Sequence, residues 1–125
     1  MPFRLLLDTQ VFIWLENDVG RVRKDWLEIL SDPMNDIWAS VASIWEIAIK
    51  QAKGNLEFSG SPLDVARRRH YRLLTIQAEH AEEAAALPMH HRDPFDRILV
   101  AQARLEQLTL VTNDAAVRRY SVTVL

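Results

Sequence analysis

The run of three leucines at Leu5–Leu7, inside the apolar segment Phe3–Leu7 and ending in Asp8–Thr9, constrains this chain's fold more than any other feature. An apolar run without alternation suits a strand covered on both faces, as in a parallel sheet. Parallel strands need crossover connections, which are usually helices. Asp8 then falls at the carboxyl end of its strand, the edge where open α/β sheets place their ligands. A second use competes for the same residues: Asp8 or Thr9 also fits as the cap of a helix over Gln10–Glu16.

The rest of the chain alternates in the way such a sheet requires. Val19–Leu30 has the period of an amphipathic helix, with Val22, Trp26, Leu27, Ile29 and Leu30 inward and Arg21, Arg23, Lys24 and Glu28 outward. After a turn around Pro33, Ile37–Ala39 is a brief strand and Ser40 opens the next helix. There Val41, Ile44, Trp45, Ala48, Ile49 and Ala52 recur at helical spacing, and Gly54 supplies the stop. Gly54–Pro62 reads as loop, Leu63–His70 as helix, Tyr71–Ile76 as strand, and Ala78–Leu87 as a helix ended by Pro88. Thr109–Thr112 is a further strand, Ala115–Tyr120 a short helix and Val122–Leu125 a last strand fragment. The fold class is α/β: one domain over residues 1–125 with a mainly parallel central sheet flanked by helices.

The densest motif is His90–Ala103, HHRDPFDRILVAQA. Asp93–Pro94 reads as a helix start, because aspartate accepts from an orphan N–H and proline lacks that donor. Asp96 then stands at the third helical position, where the helix dipole favours an anion. Ile98, Leu99, Ala101, Gln102 and Leu105 form the inward stripe. His90 and His91 are of a metal-ligating type, but adjacent side chains in a loop diverge and no H-x-x-x-H spacing accompanies them.

Asp8 and Asp114 each follow a predicted parallel strand, so both point to one rim, and Asp96 opens a helix. Glu46 is read as lying beside the apolar stripe of its helix. It fits either a Ser43-x-x-Glu46 capping box or a pair with Lys50 one turn on. Carboxylates converging without a counter-charge repel and raise one another's pKa. A hard divalent cation such as Mg2+ or Mn2+, which takes oxygen ligands, relieves that repulsion. Arg67, Arg68 and Arg69 make the densest basic patch, either a solvated face or a phosphate contact.

Composition narrows the classes. The 125 residues contain no cysteine, which leaves no disulfide framework and no thiolate metal site and fits a reducing cytoplasm. Met1–Leu7 lacks the regions of a signal peptide, and no apolar run approaches a membrane span, so the expected location is cytoplasmic. A net charge of −2 argues against a generic polyanion binder, leaving any nucleic-acid contact to local patches.

Taken together, LLLDT at Leu5–Thr9, SIWEIAIK at Ser43–Lys50, HRDPFDRILVAQA at His91–Ala103 and VTND at Val111–Asp114 resemble the PIN domain, and more narrowly the VapC ribonuclease toxins of bacterial VapBC toxin–antitoxin pairs. The resemblance runs in order over essentially the whole chain, and DPFDR followed by aliphatic residues is its most specific part. It implies a metal-dependent endoribonuclease whose acidic quartet Asp8, Glu46, Asp96 and Asp114 holds Mg2+ or Mn2+ to activate water against a phosphodiester of RNA. It further implies hydrogen-bonding support from Thr112 and Asn113, a homodimer, and a cognate VapB-type antitoxin that occludes the pocket; Thr9 and Asp93, the latter as the cap of its helix, are read as supporting residues beside them. Arg67, Arg68, Arg69, Arg92 and Arg97 are the candidate RNA contacts. Gln10 departs from the histidine common in relatives, which bears on substrate fit and not on the metal ligands. Two other readings stand beside this one: a catalytically silent interaction module, and another Mg2+-dependent phosphate-transfer domain. The second lacks the D-x-D-x-T after the first strand that a phosphatase would want, since Asp8-Thr9-Gln10 has no second aspartate.

Overall fold

The structure, a computed structural model, describes residues 2–125; Met1, the first residue of the Met1–Leu7 stretch weighed above, lies outside them. Its frame is a four-stranded sheet in the order β3-β2-β1-β4, formed by β1 (Arg4–Leu7), β2 (Asp36–Ser40), β3 (Arg72–Leu74) and β4 (Thr109–Val111). All three pairings are parallel, with Leu7 opposite Ala39 on one side and Val111 on the other. β1 is thus an inner strand, which explains its unbroken leucines: Leu5 and Leu7 enter one core cluster and Leu6 the other, all completely buried.

Helices cover both faces. On the Leu5/Leu7 face pack α1 (Thr9–Asn17), α2 (Lys24–Ser31) and α4 (Pro62–Arg68), through Val11, Phe12, Trp26 and Val65 among others. On the Leu6 face lies α6 (Pro94–Glu106), through Leu99, Val100 and Ala103, with α5 (Ala78–Ala86) packed against it. α3 (Val41–Ala52) bridges the two, giving Ala42 to one cluster and Ile47 to the other. Ser40 caps α3 by accepting from the Ala42 amide, and Gly54 takes the left-handed turn just past its end. Among the described residues, no helix is long and apolar enough to cross a membrane.

Several expected elements shift. Val19–Leu30 is not one helix: a 3-10 turn spans Val19–Arg21, and α2 begins only at Lys24. Between them Val22 turns extended and buries its side chain, a conformation its β-branched carbon favours. The strand expected over Tyr71–Ile76 shrinks to β3. Ala115–Tyr120 supplies a 3-10 turn over Val117–Arg119, and Val122–Leu125 makes a single bridge between Val124 and Leu110. Leu105, expected to point inward, is exposed, whereas Arg97 is buried.

The inward face of α3 differs most. It consists of Ala42, Ser43, Glu46 and Ile47, while Trp45 is 59% exposed and Ala48 also faces out. Glu46 therefore lies within the buried face and not beside it.

Candidate active site

Parallel strands β1 and β4 end side by side, and Asp8 and Asp114 follow them by one and three residues. Each carboxylate divides its oxygens between local structure and the rim. Asp8 Oδ1 accepts from the Val11 amide at 2.7 Å and so caps α1. Asp114 Oδ1 accepts from the amides of Ala116 (2.8 Å) and Val117 (3.2 Å). Both readings of Asp8, cap and rim acid, hold together.

Two helices contribute the other acids. At the start of α6, Asp93 accepts from the Phe95 amide as N-cap, Pro94 fills the first position and Asp96 the third, as the sequence dictates. From α3, Glu46 reaches in beside Ser43, whose hydroxyl is 2.9 Å from that of Thr9 and ties α3 to α1. Ser43 therefore makes no capping box with Glu46. The alternative pairing is present instead, with Lys50 Nζ 2.9 Å from Glu46 Oε2.

These residues surround a single cavity of about 300 Å3, lined by Asp8, Glu46, Asp93, Asp96 and Asp114 together with Thr9, Asn113 and Lys50. The α1 residues Gln10, Ile13 and Trp14 close the remaining wall. Burial pushes the Asp8 carboxyl up to about 6; Asp114 and Glu46 add to the rise, while the Thr112 hydroxyl and the Val11 amide oppose it. Burial likewise carries Asp96 up to about 7, reinforced by Asp93, Glu46 and Asp8 and opposed by His91. Glu46 Oε1 is buried without a hydrogen-bond partner among the described residues. An ionisable oxygen left in that state carries an uncompensated desolvation cost. Carboxylate oxygens are the donors a hard divalent cation takes, so the acids lining the cavity fit one.

His91 is the residue the sequence reading undervalued. Its Nδ1 accepts from the Asp93 amide at 3.1 Å, which in the neutral ring leaves the proton on Nε2. That nitrogen lies 3.0 Å from Asp96 Oδ2 and 3.2 Å from Asp114 Oδ2, bridging acids from two elements. His91, Asp96 and Asp114 bring one ligand atom each within 4.8 Å of one another, a grouping among the described residues that takes in neither Asp8 nor Glu46. Adjacent histidines do diverge, as expected: His90 turns to the Tyr120 ring instead. The available signal was a histidine two residues before the Asp93 cap, close enough for a local ring-to-amide bond.

The expected RNA contacts scatter. Arg68 and Arg69 both clasp Glu16, at 2.7 and 2.9 Å, and Arg69 also donates to the Leu15 carbonyl. Arg97 is 8% exposed, its guanidinium donating to the carbonyls of Ala84, Leu87, Pro88 and His91. A guanidinium so engaged clamps the loop before α6 and offers no face to phosphate. Arg67 and Arg92 are exposed but do not line the acidic cavity.

A doubly covered parallel sheet with an acidic cavity at its carboxyl rim defines an α/β protein whose candidate site lies at the edge where open α/β sheets place their ligands. The chain belongs to the PIN domain family, whose model matches residues 5–122. Its fold is shared with VapBC2 of Rickettsia felis bound to a DNA fragment from its promoter, at 19% identity and TM-score 0.75 over 98% of both chains. A toxin–antitoxin complex from Klebsiella pneumoniae is similar at 18% identity and TM-score 0.67, covering 97% of this chain and 95% of that one. FitAcB from Neisseria gonorrhoeae is similar at 20% identity and TM-score 0.60, covering 97% and 96%. No curated protein matches the chain in sequence.

Proposed function

We propose that this PIN domain is a Mg2+- or Mn2+-dependent endoribonuclease, the toxin of a VapBC-type toxin–antitoxin pair. The observation that carries the reading is the convergence of Asp8, Glu46, Asp96 and Asp114 on one cavity. Support for the toxin assignment comes from the DPFDRILVAQA motif and from structural neighbours that are toxin–antitoxin complexes.

In this reading the four acids would hold the ion, which would supply positive charge to activate water and to offset charge on the leaving oxygen of a phosphodiester. Other residues position them. The Nε2 proton of His91 holds Asp96 and Asp114 at a fixed spacing, and Thr9 with Ser43 locks α1 to α3 so that Asp8 and Glu46 face each other. Thr112, fully buried, orients Asp8 and donates no room to solvent; Asn113 stands at the mouth, and Asp93 fixes the angle at which Asp96 enters. A VapB-type antitoxin, a homodimer and a cytoplasmic location complete the proposal.

The test is incubation of purified protein with structured and single-stranded RNA, with and without Mg2+ or Mn2+, beside Asp96→Asn. Metal-dependent internal cleavage by the wild type and its loss in the variant are expected. Absence of cleavage with either ion, or equal cleavage by the variant, would overturn the proposal and favour a silent interaction module.

A further inference from the structure

We infer that Gln10 and Trp14 of α1, facing Lys50 of α3, form a nucleotide subsite that seats one unpaired base and its phosphate next to the bond to be cut; this rests on the ribonuclease reading above. The acids occupy one side of the cavity, and Gln10, Ile13, Trp14 and Lys50 line the rest. Ile13 is buried and anchors the wall, whereas Trp14 is half-buried and Gln10 exposed, so both present part of their side chains to the opening. Residues four apart share a helix face, which puts the carboxamide and the indole side by side.

Trp14 packs part of its indole against the core and leaves the rest at the acidic cavity, where an aromatic face is what an unpaired base stacks on. The neighbouring Gln10 amide carries both donor and acceptor, the combination that reads a base edge. Lys50 answers the electrostatic problem. Five carboxylates repel an approaching phosphodiester, and Lys50 is the one Lys or Arg lining the cavity among the described residues. Its ammonium pairs with Glu46 Oε2 at 2.9 Å, and its side chain, 45% exposed on a flexible stem, can swing from that pair toward a phosphate at the mouth. A volume of about 300 Å3 admits a single splayed nucleotide and not a base-paired helix.

The test measures steady-state cleavage of a short mixed-sequence single-stranded RNA, and its binding to the Asp96→Asn protein, where cleavage does not interfere. Replacing Trp14 by Leu should raise KM and Kd at least about fivefold, the low end for loss of a base–aromatic stack, with kcat moving less. Trp14→Phe should recover most of that loss, which a packing defect would not allow in the same proportion. Lys50→Gln should flatten the salt dependence of binding by about one phosphate contact, a slope change of roughly 0.7, and Lys50→Arg should restore it. Gln10→Ala should change the preference among bases flanking the cut. Wild-type KM, Kd and salt slope in folded Trp14→Leu and Lys50→Gln would overturn the subsite while leaving the nuclease intact. No cleavage and no RNA binding by any form would overturn both.

Discussion

Asp96 and Arg97 are neighbours on the first turns of α6 and meet opposite fates. Arg97 turns into the protein and donates to the carbonyls of Ala84, Leu87, Pro88 and His91, with the Tyr120 hydroxyl at 3.3 Å. Asp96 turns toward the cavity, where burial and three other acids drive its carboxyl up to about 7 against the help of His91 alone. The buried guanidinium has its hydrogen-bonding capacity filled by backbone carbonyls, whereas the half-buried carboxylate sits among other acids that raise its pKa. Filled capacity marks a structural element, and a carboxyl so perturbed in a cavity marks a candidate site.

Breaking the Arg97 side should give the largest stability effect. Arg97→Met leaves several buried carbonyls without donors and should cost about 3–5 kcal/mol in urea-induced unfolding, the range for removing one partner of a buried charged network. Breaking the Asp96 side should act on chemistry instead. Asp96→Asn should lower RNA cleavage at least about a hundredfold, measured with a fluorogenic oligonucleotide. The same substitution should raise the melting temperature of the metal-free protein, because it removes a strained charge. Equal loss of stability at both positions would erase the distinction between them.

Metal sharpens the contrast next. With Mg2+ at about a hundred times its Kd, the wild type should gain roughly 2.7 kcal/mol of stability by linkage, and Asp96→Asn should gain much less. Calorimetric melts with and without the ion read this directly. The pH dependence follows from the raised carboxyls. Asp8 and Asp96 bind protons more tightly folded, at about 6 and about 7, than their ordinary value of 3.8. The folded state therefore holds extra protons between about 4 and 7, so metal-free stability should fall as pH rises through that window and level off above it. Chemical denaturation at graded pH should show the slope in the wild type, and a shallower one in Asp96→Asn. Smallest of all, Arg68→Gln breaks an exposed pair with Glu16 and should cost no more than about 1 kcal/mol.

The same contrast separates what the sequence discloses from what it hides. The leucines of β1 and the Asp93–Pro94 cap act locally, so the strand, the α6 start with Asp96 in its first turn, and the rim positions of Asp8 and Asp114 could be read in advance. Glu46 could be reached only by resemblance. Its helix turns Ala42, Ser43, Glu46 and Ile47 inward, with Ala42 in the Leu6 cluster and Ser43 bonded to Thr9 of α1, and leaves Trp45 outside. A periodicity argument that sends apolar residues inward picks the wrong face in that situation. Arg97 misled for the mirror reason: a charged residue is taken for surface until the carbonyls that surround it are known. His91 depended on a loop path that no pattern encodes.

The acids that meet at the rim come from positions 8, 46, 96 and 114, one from each of four successive parts of the chain. No fragment carrying only some of those parts can present the pocket, and a polypeptide stopped before Thr109 lacks both β4 and the carboxylate that His91 joins to Asp96. The complete set of carboxylates therefore exists only in a chain that extends through β4 to Asp114.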